Sequence, residues 1–134
     1  MVIETVHLGW LQEQKFLLFD RDDFPIFMGK PMGVSAADLL PLSLIGCSSH
    51  DVISILQKQR QNVTDLKVTA RSERDSDPPW RFRKIHIHYI ITGRAVEPDK
   101  AENAIQLSEQ KYCGVYATLK DAVEITSDFE IIEG

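Results

Sequence analysis

Apolar residues recur at every second position in three segments of the chain, which are 64–73, 84–93 and 123–131. Because the side chains of a strand point alternately to its two faces, this period predicts three strands that each bury one face. Apolar runs within 2–29, with an acidic turn at 20–23, predict two or three shorter strands before them. The chain is therefore expected to contain at least five strands.

The longest apolar segment predicts a helix from Ser35 to about Gln59. The hydroxyl of Ser35 is suited to cap the N-terminus. We expect Pro41 to kink or break the helix, because proline has no N–H and clashes with the preceding turn. The segment is apolar on nearly all sides between Leu39 and Leu56, which indicates a central position in the core.

A second helix is predicted over 98–112, with Gly114 as its C-cap. The order of elements is then strands, helix, strands, helix, strand. Because strands and helices do not alternate regularly, a doubly wound parallel sheet is not expected. The predicted fold class is α+β, with an antiparallel sheet packed on two central helices, in a single domain over residues 1–134.

Composition narrows the class of protein. The 134 residues are 26% charged and 43% hydrophobic, which is ordinary for a globular domain and excludes a disordered tail. A net charge of −5 leaves no basic surface for nucleic acid. The N-terminus lacks the features of a signal peptide, and polar residues interrupt the apolar stretch 39–56. We therefore expect a cytoplasmic protein that neither spans a membrane nor binds nucleic acid.

The first of two cysteines, Cys47, lies between small residues in the predicted central helix, in the run Gly46-Cys47-Ser48-Ser49-His50-Asp51. A cysteine in this setting often fills space in the core, and the alternative is a nucleophilic thiol. His50 follows three residues later, on the same helix face. It can be the proton partner of Cys47 or a core histidine bonded to backbone, and these residues alone leave both interpretations open.

The second cysteine, Cys113, is expected at the C-terminal end of the second helix. The helix dipole there favours cations and does not lower the pKa of a thiol. The position suits a mobile resolving thiol, and a packing role is equally open.

His86 and His88 share one face of a predicted strand, which is a possible metal-binding arrangement. No further Cys or His lies nearby in the sequence to complete a site. We therefore expect solvent-facing histidines at these positions, and neither a metal nor a cofactor in the protein.

Taken together, segments 35–52, 109–113 and 117–120 resemble the OsmC/Ohr family, which comprises osmotically inducible and organic hydroperoxide resistance proteins, and in particular its OsmC-like branch. The resemblance covers roughly residues 33–126. It implies an intertwined homodimer with active sites at the subunit interface. It also implies a cysteine peroxidase that reduces organic hydroperoxides, in which Cys47 forms a sulfenic acid, Cys113 resolves it to a disulfide, and an external thiol restores both.

The family also suggests supporting residues. In one branch a glutamate before the first cysteine pairs with an arginine from the N-terminal strands. Ala37 stands where that glutamate is expected, and the neighbouring Asp38 matches the acid of another branch. Arg21 is the only arginine before residue 60, so it is the candidate partner. His50 completes the set of supporting residues.

Two alternatives to a peroxidase stay open at this stage. One is a non-catalytic protein on the same scaffold, which binds a small apolar ligand or senses redox state. The other is that both cysteines serve packing alone, which requires them to lie too far apart for a disulfide.

Overall fold

The computed structural model describes all 134 residues. Its strands are β1 (His7–Gln12), β2 (Lys15–Phe19), β3 (Pro25–Met28), β4 (Asn62–Arg74), β5 (Phe82–Arg94) and β6 (Glu124–Glu133). Its helices are α1 (Leu39–Lys58), α2 (Pro98–Leu107) and α3 (Gly114–Leu119), with a 3-10 turn at Ala36–Asp38 and a π-helical segment at Ser108–Tyr112. The predicted α+β class is confirmed. The chain forms two compact units, Met1–Leu40 and Pro41–Gly134.

The N-terminal unit contains an antiparallel sheet in the order β1-β2-β3. Every residue of β1 is exposed, although the strand carries Leu8 and Trp10. A cleft of about 510 Å³ is lined mainly by apolar residues, among them Leu18 and Ile26. Several large apolar side chains of this unit are thus exposed.

The C-terminal unit contains a second sheet, in the order β4-β5-β6. Strands β4 and β5 are antiparallel, whereas β5 and β6 are parallel, with Tyr89 opposite Phe129. The expectation of an antiparallel sheet is therefore wrong for this last pair. Parallel neighbours need a crossover connection, and the segment 95–123, which contains α2 and α3, returns the chain to the start of the sheet.

The core of this unit confirms the predicted alternation in β5, since Ile85, Ile87, Tyr89 and Ile91 are all buried. Helix α1 buries one stripe at every fourth position, formed by Leu44, Ser48, Val52 and Leu56. The predicted burial of α1 on nearly all sides is thus not found within one chain.

The helical segment Ala36–Lys58 is long and apolar enough to cross a membrane, although the central helix of a globular protein meets the same criteria. Only 22% of its most apolar window is buried. Most other apolar residues of the helix are partly buried, and Leu42 is exposed.

The predicted kink at Pro41 is also absent. Helix α1 begins at Leu39, so Pro41 lies in its first turn, where backbone N–H groups have no intrahelical acceptor. Ser35 does precede the helical segment as predicted, but its side chain makes no capping hydrogen bond.

The two strand histidines pair with acidic residues of β6. His86 Nε2 and His88 Nδ1 lie 3.0 and 2.6 Å from the same oxygen of Asp128, and His88 Nε2 lies 3.3 Å from Glu130. Hydrogen bonds to Asp128 and then Glu130 raise the pKa of His88, while the pKa of Asp128 is lowered, chiefly by its hydrogen bond to His88. The pair is therefore favoured in its charged form.

This pairing predicts a pH-dependent contribution to stability. Since the pKa of His88 is raised on folding, the stabilisation is fully present below about pH 6.5 and is lost as the pH rises through the folded-state pKa. The lowered pKa of Asp128 stabilises the folded state at higher pH, and this stabilisation is lost in acid, as the pH falls below about 4. In urea unfolding, the difference in midpoint between wild type and H88Q should shrink from pH 6 to pH 8.5. A difference that is constant or grows over this range would contradict the pairing.

Candidate active site

Helix α1 positions Cys47 through the residue that follows it. The hydroxyl of Ser48 hydrogen-bonds with the hydroxyl of Tyr89 on β5, and both side chains are buried. Burial raises the pKa of Tyr89 to about 12, so its hydroxyl stays protonated at neutral pH. This bond fixes the rotation of α1 against the sheet and leaves Cys47 on a partly exposed flank of the helix.

Cys113 lies at the end of the predicted second helix, as expected, because it is the C-cap of the π-helical segment that completes this helix. The regular part of the predicted helix ends at Leu107, and the π-helical segment Ser108–Tyr112 follows. Such segments insert an extra residue into a helical turn and often occur at functional sites. Cys113 is the N-cap of α3, and Gly114, the predicted C-cap, is the first residue of that helix.

The surroundings of Cys113 act on its thiol in opposite directions. Its Sγ accepts a hydrogen bond from the backbone N–H of Tyr116 at 3.3 Å, which favours the thiolate. Burial and the neighbouring Cys47 outweigh this bond and raise the pKa of Cys113 to about 11. Cys113 is only 3% exposed, so it is a protonated, buried thiol at neutral pH.

The structure brings together the two cysteines that the sequence singled out. The Sγ atoms of Cys47 and Cys113 and one carboxylate oxygen of Asp51 all lie within 4.8 Å of one another. Both thiols are free. A disulfide has a sulfur–sulfur distance of about 2.05 Å, so a modest rearrangement joins them. If both cysteines served packing alone, their sulfur atoms would be expected to lie too far apart for a disulfide. The two sulfur atoms instead lie within 4.8 Å of each other.

Asp51 is the site residue to which the sequence analysis gave no role. It lies four residues after Cys47, one helical turn away, and its side chain is only 16% exposed. The hydroxyl of Ser108 donates a 2.9 Å hydrogen bond to Asp51 Oδ2, which orients the carboxylate. The sequence signal for this contact was the spacing of four residues between Cys47 and Asp51, which places both side chains on one face of the helix.

His50 is not the core histidine that the sequence left open. Its side chain is 83% exposed, and its Nδ1 is 3.8 Å from Asp51 Oδ1, so it contacts the outer side of that carboxylate. The cluster around the Cys47 thiol contains Asp51, and assistance of His50 to Cys47 stays a prediction.

Two further predicted residues belong to the N-terminal unit. The guanidinium of Arg21 is 61% exposed and forms an ion pair with Glu4 at 2.8 Å. Asp38 ends the 3-10 turn and is exposed. Their assistance to Cys47 stays a prediction.

A cavity of about 440 Å³ lies beside the thiol cluster and shares Asp51 with it. Ile55, Leu107 and Tyr112 supply apolar walls. The side-chain oxygen of Gln59, which also lines the cavity, is buried and has no hydrogen-bond partner. The arrangement suits a molecule with an apolar body and a polar end.

Comparison with known proteins gives consistent matches along the chain. The family model described as "OsmC-like protein" matches residues 29–128. Protein YhfA of Escherichia coli K12 is 37% identical over 126 residues, which cover 92% of this chain and 94% of YhfA.

Solved structures of other proteins are also similar to this chain along most of its length. That of a hypothetical protein from Aquifex aeolicus VF5 is 31% identical, with a TM-score of 0.91, and the match covers 100% of this chain and 99% of that one. The organic hydroperoxide resistance protein OhrB of Bacillus subtilis is similar in fold, with a TM-score of 0.62 at 11% identity over 94% of this chain and 98% of that one.

Proposed function

Because this chain belongs to the OsmC-like protein family, we propose that it is a thiol-dependent peroxidase that reduces organic hydroperoxides to alcohols. The observation that carries the proposal is the cluster of two free thiols and a carboxylate, in which Cys47, Cys113 and Asp51 lie within 4.8 Å of one another. The name of the B. subtilis protein, which shares the fold, supports a link to organic hydroperoxides.

In the first step, the Cys47 thiolate attacks the terminal oxygen of the hydroperoxide. A sulfur–oxygen bond forms as the oxygen–oxygen bond breaks, so the sulfur is oxidised to a sulfenic acid and the peroxide is reduced. The alkoxide that leaves takes up the proton that the Cys47 thiol released. One thiol and one hydroperoxide thus give one sulfenic acid and one alcohol.

In the second step, Cys113 attacks the sulfenic sulfur of Cys47, which forms a disulfide and releases water. The raised pKa of Cys113 keeps its thiol protonated, so Cys113 does not compete with Cys47 for the peroxide. Two equivalents of an external thiol then reduce the disulfide and restore both cysteines.

Asp51 is the residue best placed to move the proton in the first step. Its carboxylate lies within 4.8 Å of the Cys47 sulfur, and Ser108 holds it in place. We assign it the role of accepting the thiol proton and returning it to the alkoxide. This is general acid–base catalysis by one group.

The neighbouring cavity favours an organic substrate over hydrogen peroxide. Burial of an alkyl chain against Ile55 and Leu107 is favourable by about 0.8 kcal/mol for each methylene group. Hydrogen peroxide has no such group, so it gains nothing from these walls.

The exposed apolar surfaces support a homodimer of single-domain chains, 1–134. The N-terminal sheet exposes Leu8, Trp10 and Phe27, and several apolar residues of α1 are only partly buried within one chain. A second copy of the chain would bury both. We further propose a cytoplasmic location, where small thiols are available as the reductant and the cysteines rest reduced.

The proposal is tested by the oxidation state of the cysteines after reduced protein receives one equivalent of cumene hydroperoxide. A disulfide between Cys47 and Cys113, together with one equivalent of alcohol, is the expected result. Thiols that stay reduced in the presence of peroxide would contradict the proposal and favour a binding protein on the same scaffold.

A further inference from the structure

The cluster of Cys47, Cys113 and Asp51 also has the composition of a metal site. Two thiolates and a carboxylate are ligands that Zn²⁺ accepts in proteins, at distances of about 2.3 Å to sulfur and 2.0–2.2 Å to oxygen. Ligand atoms of a tetrahedral zinc site therefore lie roughly 3.5–3.8 Å apart. The three atoms here lie within 4.8 Å of one another, so small side-chain movements bring them onto one ion.

We propose that the reduced protein binds one Zn²⁺ per chain through Cys47, Cys113 and Asp51. Three protein ligands leave the fourth tetrahedral position for water, as in zinc sites that stay open to a further ligand. Cys47 is partly exposed, which gives the ion a route to the cluster. Cys113 is buried and Asp51 is 16% exposed, so these two ligands are the less accessible ones of the site.

Two of the proposed ligands, Asp51 and Cys113, already accept hydrogen bonds that hold them in place. Ser108 donates to Asp51 Oδ2 at 2.9 Å and so orients the carboxylate. The N–H of Tyr116 donates to Cys113 Sγ at 3.3 Å and so orients that sulfur. Outer partners of this kind hold ligands in place and typically account for 10–100-fold in metal affinity.

Zinc binding would change the chemistry of the thiols. The ion binds thiolates, so two thiol protons are released as it binds. Both sulfurs are then held on the metal, and Cys47 is no longer free to attack a peroxide. This consequence rests on the proposed peroxidase function, whereas the binding itself does not.

The binding is tested without peroxide, so its failure and the failure of the peroxidase proposal are separate results. Reduced protein is titrated with Zn²⁺ by calorimetry, and with Co²⁺ as a spectroscopic probe of thiolate ligands. One ion per chain and a thiolate-to-cobalt charge-transfer band are expected. Absence of either would overturn the proposal.

Variants locate the site. D51N, which preserves the shape of the side chain, should weaken zinc binding by more than about 100-fold, and S108A by 10–100-fold. The charge-transfer band should be lost in C47S. The double variant H86Q/H88Q is the matched control for histidine sites and should bind zinc with wild-type affinity. Unchanged affinity in D51N, or loss of binding in the histidine variant, would contradict the assignment.

Discussion

Replacement of Cys47 by serine (C47S) is expected to reduce hydroperoxide consumption to the rate of the protein-free reaction. A serine hydroxyl is not ionised at neutral pH, so it offers no anion to attack the oxygen–oxygen bond. Without the attack no sulfenic acid forms, and Cys113 has nothing to resolve. The measurement is the consumption of cumene hydroperoxide by C47S in the presence of excess dithiothreitol, compared with wild type.

The matched control makes the same substitution at the other cysteine. C113S keeps the nucleophile, so it should consume one equivalent of hydroperoxide per chain at the wild-type rate when no reductant is present. Substantial peroxide consumption by C47S, or loss of the first turnover in C113S, would show that the roles of Cys47 and Cys113 are wrongly assigned.

The second large effect is expected at Asp51. If the carboxylate carries the proton from Cys47 to the alkoxide, D51N should slow the oxidation of Cys47 by about 100-fold, which is typical of the loss of a general acid–base group. Asparagine keeps an oxygen that can accept the Ser108 hydroxyl, so the local packing is preserved. The rate of the first turnover, measured by stopped flow between pH 5 and pH 9, isolates this step.

The sign of the effect distinguishes two physical models of Asp51. A negative charge within 4.8 Å of a sulfur disfavours the thiolate, so a purely electrostatic role predicts that D51N reacts faster than wild type. Proton transfer predicts the opposite. H50Q serves as the control, because His50 neighbours Asp51 but is largely in solvent, and its rate should stay within about twofold of wild type.

Much of the fold could be predicted from local patterns. The alternation of Ile85, Ile87 and Ile91 with polar residues depends only on which face a strand buries, and the structure confirms it. Which strands pair, and in which direction, depends on how the connection crosses the sheet. The parallel pair of β5 and β6 was missed for that reason.

The site was only partly predictable. The order of the motifs around Cys47 and Cys113 indicated the pair, and the structure brings them together. The π-helical segment between α2 and α3 has no signal in residue spacing, so the sequence placed Cys113 correctly at the end of a helix but did not indicate that Cys113 also caps the N-terminus of α3. Asp51 was missed because i+3 and i+4 neighbours share a helix face, and packing against Ser108 selects the fourth residue.

The most direct test of the redox pair is mass spectrometry of wild type and C113S after one equivalent of cumene hydroperoxide. Wild type should lose two hydrogens through a Cys47–Cys113 disulfide. C113S should gain one oxygen at Cys47, and a reagent specific for sulfenic acids should trap it. Wild type with both thiols intact, or C113S without an oxidised Cys47, would show that these residues do not form a peroxidase pair.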